Sequence, residues 1–176
     1  MSMKKFWIAA GAVAAGVLAL GPALAQTSAL KGHNSNAPVD VAADRIEVQD
    51  RADRAIFSGD VVVRQSDLTL NAPRLTVAYS NAGGIEIERI DASGGVVVKS
   101  PSETARGEFA IYDLNSRLIT LVGGVTLTRG DSRVSGGRLV IDLTSGRAVM
   151  EGGGPAGVNG NGGRVTGTFT VPQRAD

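Results

Sequence analysis

Acid–base chemistry needs titratable groups held in pairs, and this chain offers few. Carboxylates fall close together at Asp40 and Asp44, at Asp50 and Asp53, and at Glu86 and Glu88. Hydrolases use such pairs as general acid and base, or as acid and nucleophile. Here Glu86 and Glu88 alternate with Ile85 and Ile87, which puts both acids on the solvated face of a strand. On that face they add solubility and discourage edge pairing. The single histidine, His33, lies in a polar stretch with no partner at metal-ligand spacing, so it reads as a solvated tail residue. The lack of cysteine removes thiolate metal sites and Cys nucleophiles. No G-x-S-x-G elbow, H-E-x-x-H pair or acidic calcium loop occurs, and Gly152-Gly153-Gly154 lacks the Lys-Ser/Thr of a phosphate loop. The expectation is a chain with no catalytic residues, no metal and no cofactor, and not an enzyme.

The beginning of the chain is an address. Lys4 and Lys5 precede an apolar run from Phe6 to Leu20, Gly21-Pro22 breaks it, and Ala23-Leu24-Ala25 offers small residues for cleavage. The run is short for a membrane span, which takes about 20 residues. Residues 1–25 are therefore expected to be a cleaved signal peptide and the protein to be periplasmic. Removing Lys4 and Lys5 from the 18 basic residues leaves 16 against 17 acidic ones, so no nucleic-acid partner is expected. Residues 26–38 read as a flexible lead-in and 39–151 as one β domain. Residues 152–176 read as a glycine-rich tail with one last strand possible at 164–171.

The body repeats. Gly59-Asp60-Val61-Val62-Val63, Gly94-Gly95-Val96-Val97-Val98 and Gly123-Gly124-Val125-Thr126-Leu127 begin strands in the same way. A second set follows Arg45-Ile46, Arg74-Leu75, Glu108-Phe109 and Arg138-Leu139. A recurring unit of a few strands cannot bury its own apolar face and must stack on the next. The hydroxyls of Thr126 and Thr128 point Val125 and Leu127 inward, and register carries Val61, Val63, Val96 and Val98 with them. The same alternation selects Leu68, Leu70, Leu75 and Val77. Aligning the second set adds Ile46, Val48, Ile85, Ile87, Phe109, Ile111, Leu139 and Ile141, and Phe57 joins as an inward aromatic. The interior is thus expected to be aliphatic along the whole stack, suited to a dry core or to a long trough for something flexible and greasy.

Two stretches, Arg54 to Val63 (RAIFSGDVVV) and Leu68 to Val77 (LTLNAPRLTV), together with the leader and the absence of cysteine, resemble the LptA/OstA family of periplasmic lipopolysaccharide transport proteins. The resemblance covers roughly residues 39–151. It implies an all-β fold of repeated antiparallel strands, an open-ended twisted β-jellyroll of two packed sheets. It also implies that lipopolysaccharide is the cargo, with the lipid A acyl chains riding among the inward residues. The implied partners are an LptC-like inner-membrane protein at the N-terminal edge, an LptD-like outer-membrane protein at the C-terminal edge, and further copies joined head to tail. An LptC-like or LptD N-terminal-like domain of the same pathway, or a structural β-repeat protein without lipid, are the alternatives. Physics favours a carrier: an acyl chain of ~12 carbons in water costs on the order of 9 kcal/mol, so it must stay covered in transit.

Overall fold

The structure, a computed structural model, describes residues 33–153 and 163–170. The expected leader, the lead-in as far as residue 32 and the glycine-rich stretch 154–162 lie outside the described residues. The strands are β1 (Asp40–Ala42), β2 (Arg45–Gln49), β3 (Arg54–Gln65), β4 (Leu68–Ser80), β5 (Glu86–Lys99), β6 (Glu103–Asp113), β7 (Leu118–Arg129), β8 (Ser132–Asp142), β9 (Arg147–Glu151) and β10 (Thr166–Thr168). A 3-10 turn, Asp50–Ala52, joins β2 to β3. All pairings are antiparallel, in the order β1-β3-β4-β5-β6-β7-β8-β10, with β2 also on β3 and β9 also on β8. The sheet does not close on itself.

Two strands share one edge of β3 because β3 bends. β1 pairs with Val62–Arg64 and β2 with Arg54–Ser58. Every long strand is broken by a register shift at the same level, between Ser58 and Val61, Asn71 and Arg74, Ser93 and Val96, Arg106 and Phe109, and Val122 and Val125. At these levels β3, β5 and β7 carry Gly59-Asp60, Gly94-Gly95 and Gly123-Gly124, all at positive φ. Two consecutive residues in that region make a sharp bulge, and a Cβ-bearing chain rarely adopts it. The glycine repeat read from the sequence is therefore a row of hinges. It folds one sheet into two leaves whose inner faces meet.

Leaf 1 holds β1, β10 and the halves of β3–β8 nearer the turns at 66–67, 100–102 and 130–131. Leaf 2 holds β2, β9 and the other halves. Two rows cross leaf 2: Phe57, Leu75, Ala92, Ala110, Leu121, Leu139, Met150, and Ala55, Val77, Ile90, Tyr112, Ile119, Ile141, Ala148. Leaf 1 answers with Val41, Val63, Leu70, Val98, Ala105, Leu127 and Val134. All of these but Ala55 and Val134 belong to one core cluster or pack against it, and Leu75, Leu121 and Leu139 are wholly buried there.

Several expected inward residues are not inside. Ile46 and Val48 share the inward rows with Phe57 and Ala55 but stay more than half exposed, because β2 ends its leaf. Ile85 precedes β5 and is exposed. Phe109 and Ile111 fall on the outer face, Phe109 half exposed. At the bend β6 spends Gly107-Glu108, so Ala110, not Phe109, is the counterpart of Leu75 and Leu139. His33 is the largest correction: far from being a solvated tail, its side chain is fully buried.

Two leaf 2 turns share a signature, Asp113-Leu114-Asn115-Ser116 and Asp142-Leu143-Thr144-Ser145. The Ser116 amide donates to Asp113 Oδ1 at 2.8 Å, and the Ser145 hydroxyl donates to Asp142 Oδ2 at 2.8 Å. Hydrogen bonds from Ser116 and Ser145 respectively hold both carboxyls below the usual range. The turns tuck Leu114 and Leu143 against the core. Leu121→Ala should lower unfolding free energy by about 2–5 kcal/mol, and Phe109→Ser by no more than about 1 kcal/mol, both read from urea midpoints. Asp142→Asn should destabilise at neutral pH. A depressed carboxyl supports the fold only while ionised, so the difference from wild type should shrink as pH falls through its folded titration.

Candidate functional site

The inner faces of the two leaves define the site, and its width changes along the stack. Near β3 and β4 the leaves are pressed together. Val39, Val63, Leu68, Leu70 and Val98 of leaf 1 and its approach face Ile90, Tyr112 and Ile119 of leaf 2, around a space of only about 10 Å³. Tyr112 Oη donates to Gln65 Oε1 at 3.0 Å, a buried hydrogen bond across the two leaves. Burial pushes the Tyr112 phenol up, so it keeps its donor proton. Through the middle, Leu75, Leu121 and Val125 fill the interior.

At the far end the leaves part. A cavity of about 290 Å³ opens between Leu127, Ser132 and Val134 of leaf 1 and Leu139, Ala148 and Met150 of leaf 2, with Phe169 at its mouth. This is near the lower end of small-ligand pockets, which span roughly 300–1,000 Å³. The leaf 1 row that runs through Leu127 and Val134 ends at Gly167 on β10, where the Phe169 ring occupies the place a side chain would take. The wall is mostly apolar; besides Ser132, its polar part is one ion pair, in which the Arg129 guanidinium meets the buried carboxylate of Glu103 through Nε at 2.7 Å and also through Nη2. Charge compensation keeps a carboxylate tolerable on an apolar wall.

Among the described residues, the trough expected from the repeat is therefore closed by the protein's own packing near the β3–β4 turn and through the middle, and open beside β8–β10. Of the residues singled out from sequence, Leu127 and Leu139 line the open cavity. Val63, Leu68, Leu70 and Val98 line the narrow space, and Val61, Leu75, Val77, Val96, Val125 and Ile141 are core. Phe57 and Ile87 pack on the core from its margin. Glu103, Arg129, Val134, Ala148, Met150 and Phe169 escaped the sequence reading. The alternation Arg133-Val134-Ser135 and the turn Ser145-Gly146 pointed to strands there, but nothing in them marked an unfilled end. Among the described residues no cluster of His, Asp and Glu could hold a metal ion, and no helix is long and apolar enough to cross a membrane.

The family model for the LptA/(LptD N-terminal domain) LPS transport protein matches residues 40–147. The chain belongs to this family. It is 33% identical over 168 residues to an uncharacterized protein, R00383, of Rhizobium meliloti strain 1021, covering 86% of this chain and 90% of that protein. The fold is similar to the crystal structure of LptH, the LptA-homologous periplasmic component of the lipopolysaccharide transport device of Pseudomonas aeruginosa. That match has a TM-score of 0.67 at 19% identity over 78% of this chain and 98% of LptH. The family is one of transport components and not of enzymes, and the hinged two-leaf jellyroll is its fold. Ala148→Leu should fill the cavity, reducing uptake of a fluorescent acyl probe several-fold while changing stability by about 1.5 kcal/mol or less, checked by probe titration and thermal unfolding.

Proposed function

We propose that this chain is a periplasmic lipopolysaccharide-binding bridge component, exported by residues 1–25, that covers acyl chains between its leaves and passes them toward the outer membrane. The observation that carries this reading is the aliphatic cavity between Leu127, Val134, Leu139 and Met150, which lies in line with the apolar rows of the whole stack. A hydrocarbon chain entering it exchanges water for aliphatic wall, at about 0.8 kcal/mol per methylene. The chemistry asked of the site is cover alone, which agrees with the lack of any catalytic constellation in the sequence.

The ends of the stack support assembly. β1 and β2 form one edge and β9 and β10 the other, and each short strand leaves backbone donors and acceptors on its outer side. A second copy, or a homologous domain, can add there as a continuing sheet. Apolar side chains lie ready at both ends, Ile46 and Val48 on β2 and Phe169 after β10. An LptC-like partner at the first edge and an LptD-like partner at the second would extend the oily interior across the compartment. The inward residues are the expected lipid contacts, with Leu127 and Leu139 nearest the open space.

A photocrosslinker at Val134 in living cells should capture lipopolysaccharide, and one at Phe109 on the outer face should not. Val134→Glu should reduce capture from a crosslinker at Met150 by about tenfold or more, since a charge in that wall must be desolvated. Equal capture from the inner and outer positions would refute the reading.

A further inference from the structure

The residues just before β1 make contacts that the transport reading does not use. His33 to Ala37 cross the seam opposite the hinges, where the turn tips of the two leaves come together. On leaf 1, His33 Nδ1 lies 2.9 Å from Asp67 Oδ1, and His33 Nε2 lies 3.1 Å from Gln65 Oε1. The Gln65 side-chain amide donates to the carbonyls of Ser35 and Ala37, each at 3.0 Å. On leaf 2, Tyr112 Oη donates to the same Gln65 oxygen at 3.0 Å, and Arg117 donates to Asn36 Oδ1 at 3.3 Å. One short segment thus ties the tip of the β3–β4 hairpin to the tip of the β6–β7 hairpin. Directly behind it lies the narrow, fully packed part of the interior.

We propose that residues 33–37 are a clasp that shuts the lateral seam between the leaves, and that its release lets an acyl chain enter the interior sideways; this rests on the lipid-carrier reading above. The hydrogen-bond inventory says what holds the clasp. Two backbone carbonyls fix the Gln65 amide nitrogen, so its oxygen must face His33 and Tyr112 and can only accept. Asp67 also accepts. Each ring nitrogen of His33 therefore sits against an oxygen of the β3–β4 hairpin tip, one from Asp67 and one from Gln65. Asp67 on the β3–β4 turn, Tyr112 on β6 and Arg117 on the β6–β7 turn complete the polar contacts that hold the segment across the seam.

The chain holds one histidine and no cysteine, so both the ring and introduced thiols can be followed without interference. The test uses the chain purified from the periplasm, with amide hydrogen exchange of residues 34–39 and uptake of a fluorescent lauroyl probe as independent readouts. His33→Ala should speed exchange of the segment about tenfold, the loss expected for its two side-chain hydrogen bonds, and should raise the rate of probe uptake similarly. Joining Asn36→Cys to Arg117→Cys with a bismaleimide should block uptake even in His33→Ala. If His33→Ala does not fold, His33→Gln, which has a single donor group, takes its place. Unchanged exchange, or faster exchange with unchanged uptake, overturns the clasp while lipid capture at Val134 leaves the carrier reading standing. No uptake in any state and no capture at Val134 overturns both.

Discussion

Each leaf carries an aliphatic face that water penalises, and the only surface able to cover it is the other leaf. The rest of the structure follows from that contact. Fully burying a Val, Leu or Ile side chain is worth about 1.5–3 kcal/mol, and the rows through Leu75, Leu121, Leu139 and Ile141 do so many times over. One continuous sheet can meet itself only by folding across every strand at one level. Gly59-Asp60, Gly94-Gly95 and Gly123-Gly124 supply the positive-φ hinges that allow it. Leaf contact and hinge are thus two sides of one constraint, and a family of transport components is built on it.

The contact is not uniform. At the β3–β4 end it is tight, with the buried Tyr112–Gln65 bond spanning the leaves. At the β8–β10 end the leaf 2 rows end at Ala148 and Met150, and a cavity lies beside them. Interiors normally pack without voids, so an apolar cavity of this size sets that end apart from the otherwise dense stack. The chain around β10 is also unusual. Gly152 abuts Gly163, so the end of β9 and the approach to β10 lie at nearly the same point. β9 and β10 pair with the two halves of β8 as a single bent strand would.

The few polar side chains that reach the interior sit where the leaves must be held or lined. Gln65 is buried, and every polar atom of its amide is matched by a partner. Glu103 is buried against Arg129 at the wall of the cavity. Buried polar groups that are fully satisfied specify one arrangement, whereas partly satisfied ones invite rearrangement. Satisfaction at Gln65 depends on His33 and Tyr112, which come from opposite sides of the seam.

The all-β architecture, the stacking repeat and most of the inner rows were legible from alternation and glycine spacing, because strand parity and positive φ are local properties of the chain. The same local logic misplaced Phe109 and Ile111, since the hinge in β6 shifts parity by one residue and only cross-strand register reveals it. It counted Ile46, Val48 and Ile85 as inward because periodicity cannot tell a covered face from an edge. His33 looked solvated because its partners, Gln65, Asp67 and Tyr112, lie 32, 34 and 79 residues away in sequence, the last reached through Gln65. Local chemistry, in short, determined which strands form and where they bend. How closely the leaves approach, where they leave room and what ties their seam depend on side chains far apart in the chain, and the tertiary structure alone brings those into contact.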